Sequence, residues 1–150
     1  MDPSQSEVLP TGTVAIANGE DGVTVCNGSN TVIGGSEAGA GNLISGNSDE
    51  GIVISGQNAG GTTIEGNIVG AAANGSSSLA NGHPGIEIEN TSENTVEGNT
   101  VAYNVDHGVF VETETSTPLD NKIPANSIFD NGGQGIASAL ASAPPVFPEI

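Results

Sequence analysis

Apolar residues recur along this chain in very short alternating bursts, each opened by a glycine. Gly22-Val23-Thr24-Val25, Gly51-Ile52-Val53-Ile54, Gly85-Ile86-Glu87-Ile88 and Gly108-Val109-Phe110-Val111 share one pattern, and Gly135-Ile136 begins a fifth copy. The glycines step by 29, 34, 23 and 27 residues. An asparagine stands four positions before each of them: Asn18, Asn47, Asn81, Asn104 and Asn131. A second burst follows the first, as Asn30-Thr31-Val32-Ile33-Gly34-Gly35, Thr62-Thr63-Ile64-Glu65-Gly66-Asn67, Asn94-Thr95-Val96-Glu97-Gly98-Asn99 and Asn121-Lys122-Ile123-Pro124-Ala125-Asn126. A third comes next, as Asn42-Leu43-Ile44-Ser45, Asn67-Ile68-Val69-Gly70, Asn99-Thr100-Val101-Ala102 and Asn126-Ser127-Ile128-Phe129.

Period-2 alternation over three to five residues predicts a half-buried strand. A strand so short cannot bury its apolar face alone, and a repeat of this length solves that by stacking. Each strand then pairs in parallel with its counterpart one coil away, about 4.8 Å along the axis. The chain is therefore expected to be all-β: a parallel β-helix with three short parallel sheets and four to five coils. The expected inward columns are Val23, Ile52, Ile86, Val109 and Ile136, with Val25, Ile54, Ile88 and Val111 beside them. The second face gives Val32, Ile64, Val96 and Ile123, and the third Ile44, Val69, Val101 and Ile128. Val53 and Phe110 point outward by the same alternation.

The asparagines suit the corners. A primary amide repeated at one turn position builds a ladder of hydrogen bonds up a stack, and Asn tolerates a left-handed backbone. Asn18, Asn47, Asn81, Asn104 and Asn131 form one expected ladder, and Asn67, Asn99 and Asn126 a second. Insertions decorate the coil at 34–41, 70–84 and 112–120. Residues 1–17 read as a lead-in, with Val14 and Ile16 adding a strand over the first coil. Residues 18–136 form the solenoid and 137–150 a cap or tail. A short helix is expected over 136–143, stopped by Pro144-Pro145. Weak caps would let copies associate end to end.

Two runs carry a resemblance: Gly41-Asn42-Leu43-Ile44-Ser45-Gly46-Asn47 and Thr62-Thr63-Ile64-Glu65-Gly66-Asn67-Ile68-Val69-Gly70. They resemble the right-handed parallel β-helix repeat proteins of the pectin-lyase-like superfamily, over residues 18 to about 136. That resemblance implies a right-handed coil and a secreted or cell-surface setting with a bias toward carbohydrate. The superfamily includes pectate lyases, polygalacturonases, alginate epimerases, phage tailspikes and bacterial surface adhesins.

Charge narrows the chemistry. Among 150 residues there are 18 acids, one lysine and no arginine, for a net charge of -17. Nucleic-acid binding needs cations against phosphate, so it is excluded. No segment approaches the length of a spanning helix. Met1-Asp2-Pro3-Ser4-Gln5-Ser6-Glu7 is acidic and polar, unlike a signal peptide, so an extracellular protein would have lost its signal or be an excised domain. Cys26 has no partner for a disulfide. Elimination of the pectate-lyase kind would need a cation to hold the uronate, and only Lys122 is present.

The enzyme-like residues are Asp49, Glu50, Asp106 and His107, two carboxylate sets just ahead of a repeat glycine. With Tyr103, Asp106 and His107 resemble the tyrosine, aspartate and histidine of alginate epimerases, without their basic partner. His83 in the long loop reads as an exposed residue. The expected function is a non-catalytic structural or adhesion module, binding glycan or associating through its ends. The alternative is a polysaccharide hydrolase or epimerase using those residues. A cation site is also expected. Glu65 and Glu97 would be neighbours on the second face, and Glu89 and Glu112 at the end of the first with Glu87 close by. Like charges at that distance repel unless screened or bridged, and Ca2+ bridges carboxylates. The outward column Thr31, Thr63, Thr95 ends at Lys122 and is flanked by Glu65 and Glu97, which argues against an ice-binding surface.

Overall fold

A computed structural model describes residues 12–114 and 120–140. The lead-in 1–11, the centre of the third insertion and the end of the expected helix lie outside them. The first coil carries β1 (Val23–Cys26), β2 (Val32–Gly34) and β3 (Leu43–Ile44). The second carries β4 (Ile52–Ser55), β5 (Thr63–Glu65) and β6 (Ile68–Val69). The third carries β7 (Ile86–Glu89), β8 (Thr95–Glu97) and β9 (Thr100–Ala102). The fourth carries β10 (Val109–Thr113) and β11 (Ser127–Phe129), and β12 (Ile136–Leu140) opens a fifth. All pairings between these strands are parallel, in three sheets: β1-β4-β7-β10-β12, β2-β5-β8 and β3-β6-β9-β11. A bridge from Thr95 to Lys122 carries the second sheet into the fourth coil. The chain is a three-sided β-solenoid of a little over four turns.

The first sheet keeps the register expected from its glycines, with Val23, Ile52, Ile86, Val109 and Ile136 in one column. Ile52, Ile54, Ile64, Val69, Ile86, Ile88, Val96, Val101 and Val109 are fully buried and form the core with Ile33 and Ile44. Each buried aliphatic contributes about 1.5–3 kcal/mol relative to exposure. The repeat glycine is set by space rather than by backbone angle. A Cβ on Gly51 would stand 2.5 Å from the Gly85 carbonyl oxygen and 2.6 Å from the Val69 side chain. The turn from corner to strand passes too close to the next coil for any side chain.

The first asparagine ladder is continuous. The Nδ2 groups of Asn18, Asn47, Asn81 and Asn104 each donate to the next Oδ1, ending at Asn131, over 2.8–3.1 Å. The second runs Asn67, Asn99, Asn126, and Asn42 extends it upward by one rung. A third ladder was not expected: Asn94 donates to Asn121 and accepts from the Thr62 backbone N–H. Most amides also close a carbonyl of the coil above, as Asn81 does with Ile44 and Asn99 with Ile64.

Three expectations are corrected. On the second face Ile33, not Val32, points inward: Ile33 pairs with Ile64 and is 7% exposed, whereas Val32 pairs with Thr63 and is 67% exposed. The glycine turn after the strand sets the register, Gly34 pairing with Glu65, and two adjacent aliphatics leave the alternation ambiguous. The outward column therefore reads Val32, Thr63, Thr95, Lys122, and Thr31 lies outside it. Residues 136–140 are strand rather than helix, because the open edge of β10 pairs with them in full register. Val14 and Ile16 form no strand and are exposed.

Candidate functional site

The outer surface of the first sheet gathers the acids. The residue before each repeat glycine stacks as its glycine does. The Gly22 N–H donates to the Glu50 carbonyl, Gly51 to Pro84, Gly85 to His107 and Gly108 to Gln134. That row reads Asp21, Glu50, Pro84, His107, Gln134. Beside it, the outward positions of the strands read Thr24, Val53, Glu87, Phe110, Ala137 and then Cys26, Ser55, Glu89, Glu112, Ala139.

Two groups of carboxylates result. Asp21, Asp49 and Glu50 place one oxygen each within 4.8 Å of one another, and so do Glu87, Glu89 and Glu112. Glu50 lies between the groups, close enough for its charge to act on Glu87. Asp21 is held by the Thr24 hydroxyl, which donates to its Oδ2 over 2.8 Å. Glu87 is pushed up to about 7, first by partial burial, then by the charge of Glu50, its hydrogen bond with Glu50, and the charges of Glu89 and Glu112. Glu50 is raised by burial and by its hydrogen bond with Asp21, against a smaller lowering from His83. His83 Nδ1 lies 3.6 Å from Glu50 Oε1. Protonation of Glu87 relieves the crowding of like charges.

The remaining candidates are dispersed. Glu65 and Glu97 are register partners on the second sheet, a different face from Glu87, Glu89 and Glu112. Asp106 and His107 lie together, 3.6 Å apart, but two rungs from Asp49 and Glu50 with His83-Pro84 between. That separation is about 9.6 Å along the axis. His107 Nδ1 accepts the Gln134 backbone N–H over 2.8 Å, and its ring stacks on Phe110 at 5.3 Å. Tyr103 is used at the corner: its hydroxyl donates to the Ser76 carbonyl, clasping the long loop, and its ring meets Phe129 edge-on. Asp21 was missed as a candidate. The signal was present, since it precedes Gly22 as Glu50 precedes Gly51.

With the coil and its outer face established, comparison with known proteins is decisive at the level of family. Residues 5–139 match the family described as "Periplasmic copper-binding protein (NosD)". The chain belongs to the NosD family. The match takes in every coil described above. No curated protein and no solved structure gives a significant match.

Proposed function

We propose that this NosD-family chain is a non-catalytic β-helix module acting outside the cytoplasm, a rigid scaffold that carries its chemistry on the outer face of its first sheet. The family's description as periplasmic supports the setting. The scattering of the enzyme-like residues carries the rest. Acid and base must reach one reacting bond, yet Asp49 and Glu50 stand two rungs from Asp106 and His107, and Tyr103 is engaged with Ser76. The test is turnover of polyuronates and neutral polysaccharides, read by new reducing ends and by unsaturated-product absorbance. The wild type and a Glu50→Gln/Asp106→Asn variant should both match the blank. Turnover that the double substitution abolishes would restore the hydrolase or epimerase alternative.

A second reading concerns the cation, favoured by the two carboxylate groups on this face. Copper sites are built from imidazole, thiolate or thioether. Among the described residues no group of three potential ligands includes a histidine or a cysteine. His83 meets the single carboxylate Glu50, and His107 Nδ1 is occupied by a backbone N–H. The described residues thus do not fit the copper of the family's name. An all-carboxylate set is the chemistry of a hard cation, and Ca2+ is the ion we assign to it. Thermal melts in EDTA, millimolar CaCl2 and ionic-strength-matched NaCl test this. Ca2+ should raise Tm above the matched salt, by about 2.7 kcal/mol of stability at a hundredfold excess over Kd. Equal melting in the two salts would sink it.

A further inference from the structure

The lower end of the solenoid is stepped. Among the described residues the first sheet has a fifth rung, β12, whereas the second face stops at Lys122 and the third at β11. Beneath those two faces lies a notch one rung deep, about 4.8 Å. We propose that the chain's own segment 141–150, outside the described residues, docks in the second-face side of this notch as a fifth rung. In that rung Val146 lies beneath Ile123 and closes the lower end of the core.

The inward columns show what needs cover. Ile64 and Val96 on the second face and Val69 and Val101 on the third are fully buried. Ile123 and Ile128, next in those columns, are only partly buried. Ile136 and Leu140, on one alternation of β12, are 51% and 55% exposed. The backbone is open at the same place. The Val96 N–H donates to the Lys122 carbonyl one coil below, but the Ile123 N–H has no acceptor among the described residues. The upper end differs, since Ile33 and Ile44 are already buried there.

Position and spacing pick the occupant. The chain leaves β12 at Leu140, on the lip of the notch, and the ten residues that follow include Val146, Phe147 and Ile150. Cys26, Ser55, Glu89, Glu112 and Ala139 share one row of the first sheet. In the two shortest corners, of the first and third coils, the inward residue of the second face comes seven positions after that row: Ile33 after Cys26 and Val96 after Glu89. Seven positions after Ala139 is Val146.

The prolines suit this register. Pro145 falls beneath Lys122, where its carbonyl takes the Ile123 N–H as the Lys122 carbonyl takes that of Val96. It lacks only the donor that Lys122 offers to the Asn94 carbonyl. An edge strand is where a sheet tolerates proline. With its core covered by its own chain, the lower end is closed to a second copy.

Two cysteines test the register. In a Cys26→Ser background, Ile123→Cys/Val146→Cys sets two thiols on adjacent rungs, at a Cα separation that a disulfide spans. Mild oxidation should remove both free thiols and leave a monomer on a non-reducing gel. Ile123→Cys/Ile150→Cys, the register of the longest corner, should keep its thiols under the same conditions. Val146→Asp, made with the native cysteine in place, should lower the urea midpoint by about 1 M or more, because it buries a carboxylate. Phe147→Asp, outward by alternation, should lower it less. Equal closure of the two cysteine pairs, closure of neither, or a Val146→Asp midpoint equal to wild type would overturn the proposal. So would disulfides formed only between chains, the result expected if a second copy covers this end.

Discussion

Two polar columns climb this solenoid, and they obey opposite rules. Inside the corner, Asn18 to Asn131 repeat a group that is both donor and acceptor, so each rung satisfies the next. Outside, on the first sheet, Asp21, Glu50, Glu87, Glu89 and Glu112 bring together groups that only accept once ionised. Stacking therefore strengthens the amides and sets the carboxylates against one another. The amide column is buried at Asn47, Asn81 and Asn104 and spans every coil described, whereas in the carboxylate groups Glu50 and Glu87 hold a raised proton affinity, and the acids give way to Ala137 and Ala139 in the last strand. A repeat fold can extend a neutral column without limit, but a charged column needs a proton or a counter-ion.

Breaking the amide column should have the largest effect. Asn81 is fully buried, accepts from the backbone and side chain of Asn47, and donates to Ile44 and Asn104. Asn81→Leu removes all four bonds and leaves buried partners unpaired, each at about 1–3 kcal/mol. We expect a loss of about 3–5 kcal/mol in urea denaturation. Asn81→Asp should be at least as damaging at pH 8, because an ionised carboxylate cannot donate to Ile44 or Asn104. A loss below about 1 kcal/mol for both would show that the ladder accompanies the fold without holding it.

The difference between the columns also explains what could be read in advance. The inward positions were legible because burial permits few residue types, so Ile, Val, Asn and Gly recur at fixed offsets. The failures came where that selection is relaxed. Val32 and Ile33 are both apolar, and only the glycine turn after them decides which one faces in. Residues 136–140 are alanine-rich and helix-prone, yet pairing with β10 overrides propensity. The third ladder was hidden because Thr62 takes the place of its first asparagine. The candidate site was harder still. Outward residues differ from coil to coil, and Asp21 joins Asp49 and Glu50 only through a stacking that links residues 29 apart.

Neutralising the carboxylate column should have a smaller effect with the opposite sign. The Glu87 pKa is raised from 4.5 to about 7. Its protonated form is thus favoured in the folded state, and that stabilisation is complete below pH 4.5 and lost as pH rises through about 7. Stability should fall between pH 5 and pH 8. Glu87→Gln keeps the shape without the charge, and should flatten that slope and raise stability at pH 8. The gain should be on the order of 1 kcal/mol, since half-exposure leaves the group partly screened by solvent. Ca2+ should flatten the wild-type slope in the same way. An unchanged slope in Glu87→Gln would move the pH dependence to another group.

The smallest effect belongs to the pair that never becomes a column. Glu65 and Glu97 are register partners on the second sheet, but Gly34 stands above them and Pro124 lies one register step below. Each carboxylate has one like-charged neighbour in its row and an open route to solvent. Two unit charges about 5 Å apart repel by about 0.8 kcal/mol in water before salt is added. Flexible side chains lean apart and reduce that further. Glu97→Gln should therefore stabilise by no more than about 0.5 kcal/mol at low salt, and the gain should vanish in 1 M NaCl, where the Debye length is about 3 Å. The Glu87→Gln gain should survive the same salt in larger part, because burial adds to it and salt does not screen burial. If the two substitutions respond alike to salt, the first sheet's carboxylates are an ordinary solvated surface, and their crowding has no consequence beyond net charge.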